Sequence, residues 1–324
     1  MSNNDITNKT DVVDTDAVSE MSNIPENDDR EIKVSVIVPI YNACKYIRPA
    51  LDSIISQTLA EIEIICVDDC GQDDSMQIVK NLAKEDSRIK IIKHRKNKGL
   101  GGARNSGLKK ATGDYVFFVD SDDWLEESCV QKVVNKFEDT NLDTIWFKPS
   151  VYWEETQQVT DMSPMFPYYA KCKGGYEILN EKTLINYPLY SWNKAYNREF
   201  LLKNKLKWRE NIYFEDVEFY FKTFIKSPEI YIINENLYNY RRRNDSIVGS
   251  STRDYEKAKQ LYFVTKEVYK YLKKEGLFEK YKNIYARYVY DAITMFRSYP
   301  KTYKKLMSIM LNFLKEINYP NSYI

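Results

Sequence analysis

YVFFVDSDDW, residues 115–124, runs five apolar residues into a turn that holds three acids. An unbroken β-branched and aromatic run of that length reads as a strand buried on both faces. Asp120 and Asp122 therefore leave the carboxyl end of a buried strand, where a carboxylate is costly unless something positive meets it. Mg2+ or Mn2+ carrying phosphate oxygens would meet that need, because such ions accept one or two protein carboxylates and keep their other positions for substrate and water. The competing reading is a solvated acidic turn that caps a helix near Trp124.

Three more runs of the same kind precede it: KVSVIV at 33–38, IEIICV at 62–67 and IKIIK at 89–93, with starts 26 to 29 residues apart. That interval leaves room for a crossover helix between each pair. The segments between have the required period: Ile47, Leu51, Ile54 and Ile55 share one face, as do Ile78, Val79, Leu82 and Ala83 behind the capping candidates Asp73, Asp74 and Ser75. Strands alternating with helices predict an α/β fold with a doubly wound, mostly parallel sheet, in which ligands gather beyond the carboxyl ends of the strands.

Composition narrows the function. Of 324 residues 43% are hydrophobic and 29% charged, as in an ordinary globular protein, and the formal net charge of +1 argues against a nucleic-acid partner. Charge is uneven, however. Residues 1–30 hold 2 basic and 8 acidic side chains and read as a disordered acidic tail. Residues 251–324 hold 15 basic and 7 acidic ones and read as a basic, Tyr/Lys-rich helical extension, broken near Gly276 and Pro300. That extension either packs on the core or rests peripherally on an anionic membrane. The five cysteines form no CxxC pair, and no stretch is long and apolar enough to span a bilayer. The expectation is a reduced, cytoplasmic protein, at most touching the inner face of the membrane. With His94 the sole histidine, a Ser-His-Asp relay or a zinc site has almost nothing to work with.

Four further groups carry potential chemistry. Asp68 and Asp69 follow the second strand, where one can accept a hydrogen bond from a nucleobase while Tyr41, in the loop from Pro39 to Asn42, offers a face for stacking; helix capping is the bland alternative. GLGGARNSG, 99–107, opens a helix after the third strand, so Gly99 and Arg104 are candidates for an anion, with close packing as the rival reading. In YFEDVEFYF, 213–221, Glu215 and Asp216 supply acids separate from the metal pair, as a general base requires, or simply favour a helix N-terminus. Arg241 and Arg243, in a run of three arginines, suit a diphosphate clamp or a solvated charge run.

Taken together, VSVIVPIYN at 34–42, SIISQTL at 53–59, VDDCGQDDS at 67–75, NKGLGGARNSG at 97–107, VDSDDW at 119–124 and FED at 214–216 resemble the family 2 inverting glycosyltransferases of GT-A fold. The flavour is that of bacterial enzymes building lipooligosaccharide, O-antigen or capsule. The resemblance implies a catalytic domain over residues 31–250, with a nucleotide half to about 125 and an acceptor half beyond, and a donor that is a UDP-sugar. It implies that Pro39 and Tyr41 hold the base, Asp68 reads uracil, Asp120 and Asp122 contact ribose and metal, Asp216 is the catalytic base and Glu215 touches acceptor hydroxyls. SWNK, with Trp192, Asn193 and Lys194, would lie on the acceptor side, toward a glycan or lipid-linked acceptor. The QxxRW box of processive synthases is absent, which implies transfer of one sugar or few. A sugar-nucleotide nucleotidyltransferase, lacking its basic glycine-rich loop here, and a non-catalytic nucleotide-sugar-binding module are the alternatives.

Overall fold

The four apolar runs become β1 (Val34–Ile40), β2 (Ile62–Asp68), β3 (Ile89–Lys93) and β4 (Tyr115–Phe118), paired in parallel in the order β3-β2-β1-β4. The computed structural model describes residues 31–162, 172–180, 189–243, 254–294 and 300–316. The acidic stretch 1–30 lies outside the described residues.

Alternation along β1 distributes the helices. Val34, Val36, Val38 and Ile40 face one side, where Ile47, Leu51 and Ile54 of α1 (Ile47–Ile55) and Val79 and Leu82 of α2 (Ser75–Glu85) cover them. Ile37 faces the other side, against Ala103 and Leu108 of α3 (Gly99–Lys110). The approach of α3 is close: a Cβ at Gly107 would come within 2.3 Å of Ile37 Cγ2, so a larger residue there would force the helix off the sheet. At the start of α2 the expected cap is shifted. The Asp74 side chain makes no cap bond; Asp73 instead accepts from the backbone N–H of Ser75 at 3.1 Å and of Cys44 at 2.8 Å, tying the helix to the loop after β1.

Beyond β4 the sheet continues through β9 (Lys194–Asn197), β6 (Thr144–Trp153) and β10 (Glu229–Arg242) to β5 (Trp124–Leu125), while β7 (Gln158–Asp161) joins β6 and β8 (Gly175–Ile178) joins β10. Because β9 runs antiparallel to β4, the residues just before it lie level with the DSDD turn. β10 runs parallel to β6 and brings Arg241 and Arg242, with Arg243 just beyond its end, to the same edge. α4 (Cys129–Thr140) covers β6 and β10, and α5 (Arg198–Lys203) follows β9, capped by Asn197.

α6 (Glu215–Lys226) joins the core on the α3 side of the sheet, through Phe219, to the core of the C-terminal helices. Its Val217, Tyr220, Phe221 and Phe224 pack with Leu261, Val264, Val268 and Leu272 of α7 (Tyr255–Lys274), joined by α8 (Phe278–Thr294) and α9 (Pro300–Glu316). Of the two readings of the extension, packing on the core is therefore the one seen. Each fully buried Leu or Val there contributes about 1.5–3 kcal/mol. No helix among the described residues is long and apolar enough to cross a membrane.

Candidate active site

Every group singled out beyond the strands reaches the carboxyl edge of the sheet, but not all in the expected role. Pro39 is buried at the end of β1, whereas Tyr41 is half exposed, its ring turned outward and available for stacking. Asn42 takes a positive φ of 50° and accepts from the Gln72 N–H at 2.7 Å; a Cβ on Gly71 would meet Asn42 N at 2.9 Å, so these two loops touch through backbone. Asp68, nearly buried, accepts from Cys70 N–H at 3.0 Å.

Asp69 departs from the nucleotide role. It is buried and turned inward, where Oδ1 lies 2.7 Å from His94 Nδ1 and accepts from the Lys98 N–H at 2.8 Å, while His94 Nε2 meets Ser106 Oγ at 2.8 Å. Asp69 thus pins the third strand end and the start of α3 to the second, a structural task set by its burial. The glycine-rich helix start is corrected likewise. The Gly99 N–H donates to Asn97 Oδ1, and a Cβ at Gly101 would strike the Arg209 carbonyl at 2.4 Å, so these glycines serve close packing.

Arg104 is completely buried rather than offered to a diphosphate. One guanidinium nitrogen donates to Asp120 at 3.0 Å; the other donates to Glu215 at 2.9 Å and to Asp216 at 2.7 Å. Three carboxyls from two segments, the DSDD turn and the start of α6, thereby meet on a single cation. Burial opposes the Arg104 charge, but the three acids more than offset it and hold the guanidinium protonated. Burial raises Asp120 to about 6, with Asp122 and Asp216 adding to the rise and Arg104 opposing it. Glu215 is raised to about 8, by burial first and then by the charge of Asp216, so at neutral pH it keeps a proton.

Asp216 is held from one side only. Its Oδ1 accepts from Arg104, from Ser191 Oγ at 2.7 Å and from Trp208 Nε1 at 3.1 Å. Oδ2 receives no hydrogen bond among the described residues, and the side chain stays 17% exposed. A carboxylate fixed by one oxygen and open at the other can accept a proton from a docked hydroxyl.

At the DSDD turn Asp122 Oδ2 accepts from Arg243 Nη2 at 2.9 Å and Nε at 3.2 Å. Arg241 is committed elsewhere: its N–H donates to Asp123 at 2.7 Å, its Nε to the Asp122 carbonyl at 2.9 Å, and its guanidinium stacks over Tyr46, Trp124 and Tyr152 at about 5 Å. It braces the turn, which leaves Arg243 as the arginine at the mouth. Asp123, given no role of its own in the sequence reading, is almost fully buried and accepts from Tyr238 OH at 2.7 Å, and that same hydroxyl accepts from the Asp120 N–H at 3.2 Å. The third acid is thus a strut that sets the angle of the first two.

Among the described residues no three His, Cys, Asp or Glu side chains converge as a metal cage. Asp120 and Asp122 still fit a hard divalent ion of the shared kind, being two partly exposed oxygen donors whose remaining partners would be phosphate and water.

Comparison with known proteins decides the class. The profile of glycosyl transferase family 2 matches residues 35–204, more than half of the chain. The chain belongs to glycosyltransferase family 2. This family 2 glycosyltransferase is 34% identical to the uncharacterized glycosyltransferase EpsJ of Bacillus subtilis over 217 residues, 66% of its own length and 62% of EpsJ. It thus spans about three fifths of that relative. It is 30% identical to the cholesterol galactosyltransferase of Borreliella burgdorferi over 265 residues, 79% of this chain and 72% of that one. In structure it resembles S. aureus TarS 1-349 in complex with UDP-GlcNAc, with a TM-score of 0.59, 26% identity and coverage of 72% of this chain and 66% of the other. The mannosyltransferase PcManGT of Pyrobaculum calidifontis, at 15% identity and a TM-score of 0.61, shares the fold over 91% of this chain and 83% of its own. The fold is GT-A.

In this family 2 glycosyltransferase the SWNK segment is not displayed to an acceptor. Trp192 stacks in a pile with Tyr190, Tyr238 and Tyr240 at 4.8, 4.6 and 5.2 Å, and Asn193 and Lys194 are buried with it. The aromatic pile fills the floor of the site, so these side chains support it from below. Ser191, read only as the head of the SWNK segment and not singled out, is the member of it that touches Asp216.

Proposed function

We propose that this glycosyltransferase moves a sugar from a UDP-sugar to a hydroxyl of a glycan or lipid-linked acceptor, with inversion, in building bacterial surface polysaccharide. The single observation that carries the reading is the Arg104 guanidinium, which ties Asp120, on the donor side, to Asp216. The donor and the base must lie within one sugar of each other, and a buried cation shared by both fixes that separation. Support for the donor class comes from TarS, described in complex with UDP-GlcNAc.

In this mechanism Tyr41 stacks on the base and Asp68 accepts from its N–H. Asp122 with Asp120 would hold Mg2+ or Mn2+, which when bound supplies neutralisation of charge gathering on the leaving diphosphate. Asp216 Oδ2 takes the proton of the acceptor hydroxyl while its oxygen attacks the anomeric carbon from the face opposite the diphosphate, so configuration inverts. Ser191 and Trp208 keep the carboxylate oriented through Oδ1. Glu215, holding its proton, can donate to an acceptor oxygen.

The experiment is a panel of nucleotide sugars screened for thermal stabilisation with and without Mn2+, followed by transfer assays of Asp216→Asn. UDP-sugars should stabilise best, and the variant should keep that binding while losing roughly 10²–10⁴ in turnover. Parallel loss of donor affinity and turnover would assign Asp216 to binding instead.

A further inference from the structure

Beneath Asp216 lies a lysine that the mechanism above does not use. Lys194 is 2% exposed, yet it opens β9 directly opposite Trp146 of β6, and partners in an antiparallel pair point the same way, so its chain runs over the indole with Nζ 4.4 Å from the ring centre. Nζ also lies 5.6 Å from the ring of Tyr220. Tyr220 is four residues past Asp216 in α6, hence on the same helix face one turn further on. The ammonium therefore lies against the turn of α6 that follows Asp216, near enough for the charge of Asp216 to act on it. The adjoining cavity, lined by Thr144, Trp146, Lys194, Tyr196 and Tyr220 among others, has about 10 Å³, room for roughly one water and none for a sugar. Lys194 cannot be an acceptor contact from there.

Its hydrogen bonds point to a different task. Nζ donates to the Tyr190 carbonyl and, at 2.7 Å, to Asn193 Oδ1, so one ammonium clasps both ends of the turn 190–193. Within that turn Ser191 Oγ donates to Asp216 Oδ1, and Trp208 Nε1 bonds both. We infer that Lys194 is a positioning residue for the base: by closing the turn 190–193 it holds the Ser191 hydroxyl against Asp216, and its charge favours the carboxylate from below. Burial pushes the ammonium down to about 7 while the charge of Asp216 pulls it up, so below that pH the lysine is cationic beside the base. The groups facing this pair are Tyr190 and Asn193 from the turn, Trp146 from β6, Tyr196 from β9, Tyr220 and Glu215 from α6, and Arg104 from α3.

The inference rests on Asp216 being the base, and its test separates the two. In Lys194→Met, close in size and uncharged, kcat should fall roughly tenfold to a hundredfold, as for a misplaced catalytic group, with donor KM unchanged. The acid limb of the pH–rate profile should move to higher pH, because a carboxylate that loses a neighbouring cation holds its proton more tightly. Ser191→Ala should lower kcat too, and the double variant should lose less than the product of the single losses, since both act through one contact. An unmoved acid limb, multiplicative losses, or a rise in donor KM matching the fall in kcat would overturn the role. Should Lys194→Met fail to fold, Ser191→Ala decides: a lower kcat at unchanged donor KM supports the presented hydroxyl, and an unchanged kcat refutes it. If Asp216→Asn remains active, the base assignment itself fails; if it is inactive while Lys194→Met has a normal profile, the lysine alone is dismissed.

Discussion

Two arginine–aspartate contacts stand at the mouth and the floor of this site, and they differ in kind. Arg243 and Asp122 pair at the rim with side chains 20% and 24% exposed, where water and salt screen the charges and where an incoming phosphate can compete for the arginine and a cation for the aspartate. Arg104 is 1% exposed and holds Asp120, Glu215 and Asp216 at once, with no water to substitute if it is removed. The rim pair is exchangeable and the floor cluster is permanent. A transferase needs both: a clasp that opens to donor and cation, and a fixed frame that keeps the base at a set distance from them.

Removing the floor cation should have the largest effect. Arg104→Met leaves three buried carboxyls without their partner and should cost about 3–5 kcal/mol of stability along with all activity, read by denaturant unfolding and transfer assay. A stable, active variant would erase the distinction. Arg104→Lys, a point charge unable to span three acids, should recover little.

The protonation of the cluster sharpens the contrast. Glu215 and Asp120 stand above their ordinary values of 4.5 and 3.8, at about 8 and 6, so over that interval the folded chain binds more protons than the unfolded one. Their contribution to stability is full below the unfolded values and is lost as pH rises through the folded ones. Glu215→Gln should therefore flatten the decline in melting temperature between about pH 5 and 8. A decline as steep as in the parent protein would move the retained proton elsewhere.

The smallest effect belongs to the rim. Arg243→Ala should change stability by less than about 0.5 kcal/mol, as exposed pairs do, while weakening donor binding in a salt-dependent way. A destabilisation approaching that of Arg104→Met would show the rim pair to be structural after all.

Legibility followed the range of the interactions. The four strands, the faces of α1 and α2, the break at Gly276 and the helix that starts at Pro300 are local patterns, readable from the period of burial and from where glycine and proline fall. Tyr41, Asp120, Asp122 and Asp216 were picked out by chain position at strand and helix ends, and all come to one edge of the sheet. Arg104 was misread because a basic residue opening a glycine-rich helix looks like an anion site, whereas its partners lie 16, 111 and 112 residues along the chain. Asp69 and Asp123 look like their neighbours in sequence and differ only in pointing inward.

By itself the sequence determined where apolar surface must be buried, hence the alternating strands and helices, the sheet class and the edge at which acids emerge. Tertiary structure alone decided which acids were buried as struts, which met Arg104 and which stayed partly open at the edge, because that depends on which cation each carboxylate meets and how much water remains around it. Those are properties of contacts between distant segments, and no local period encodes them.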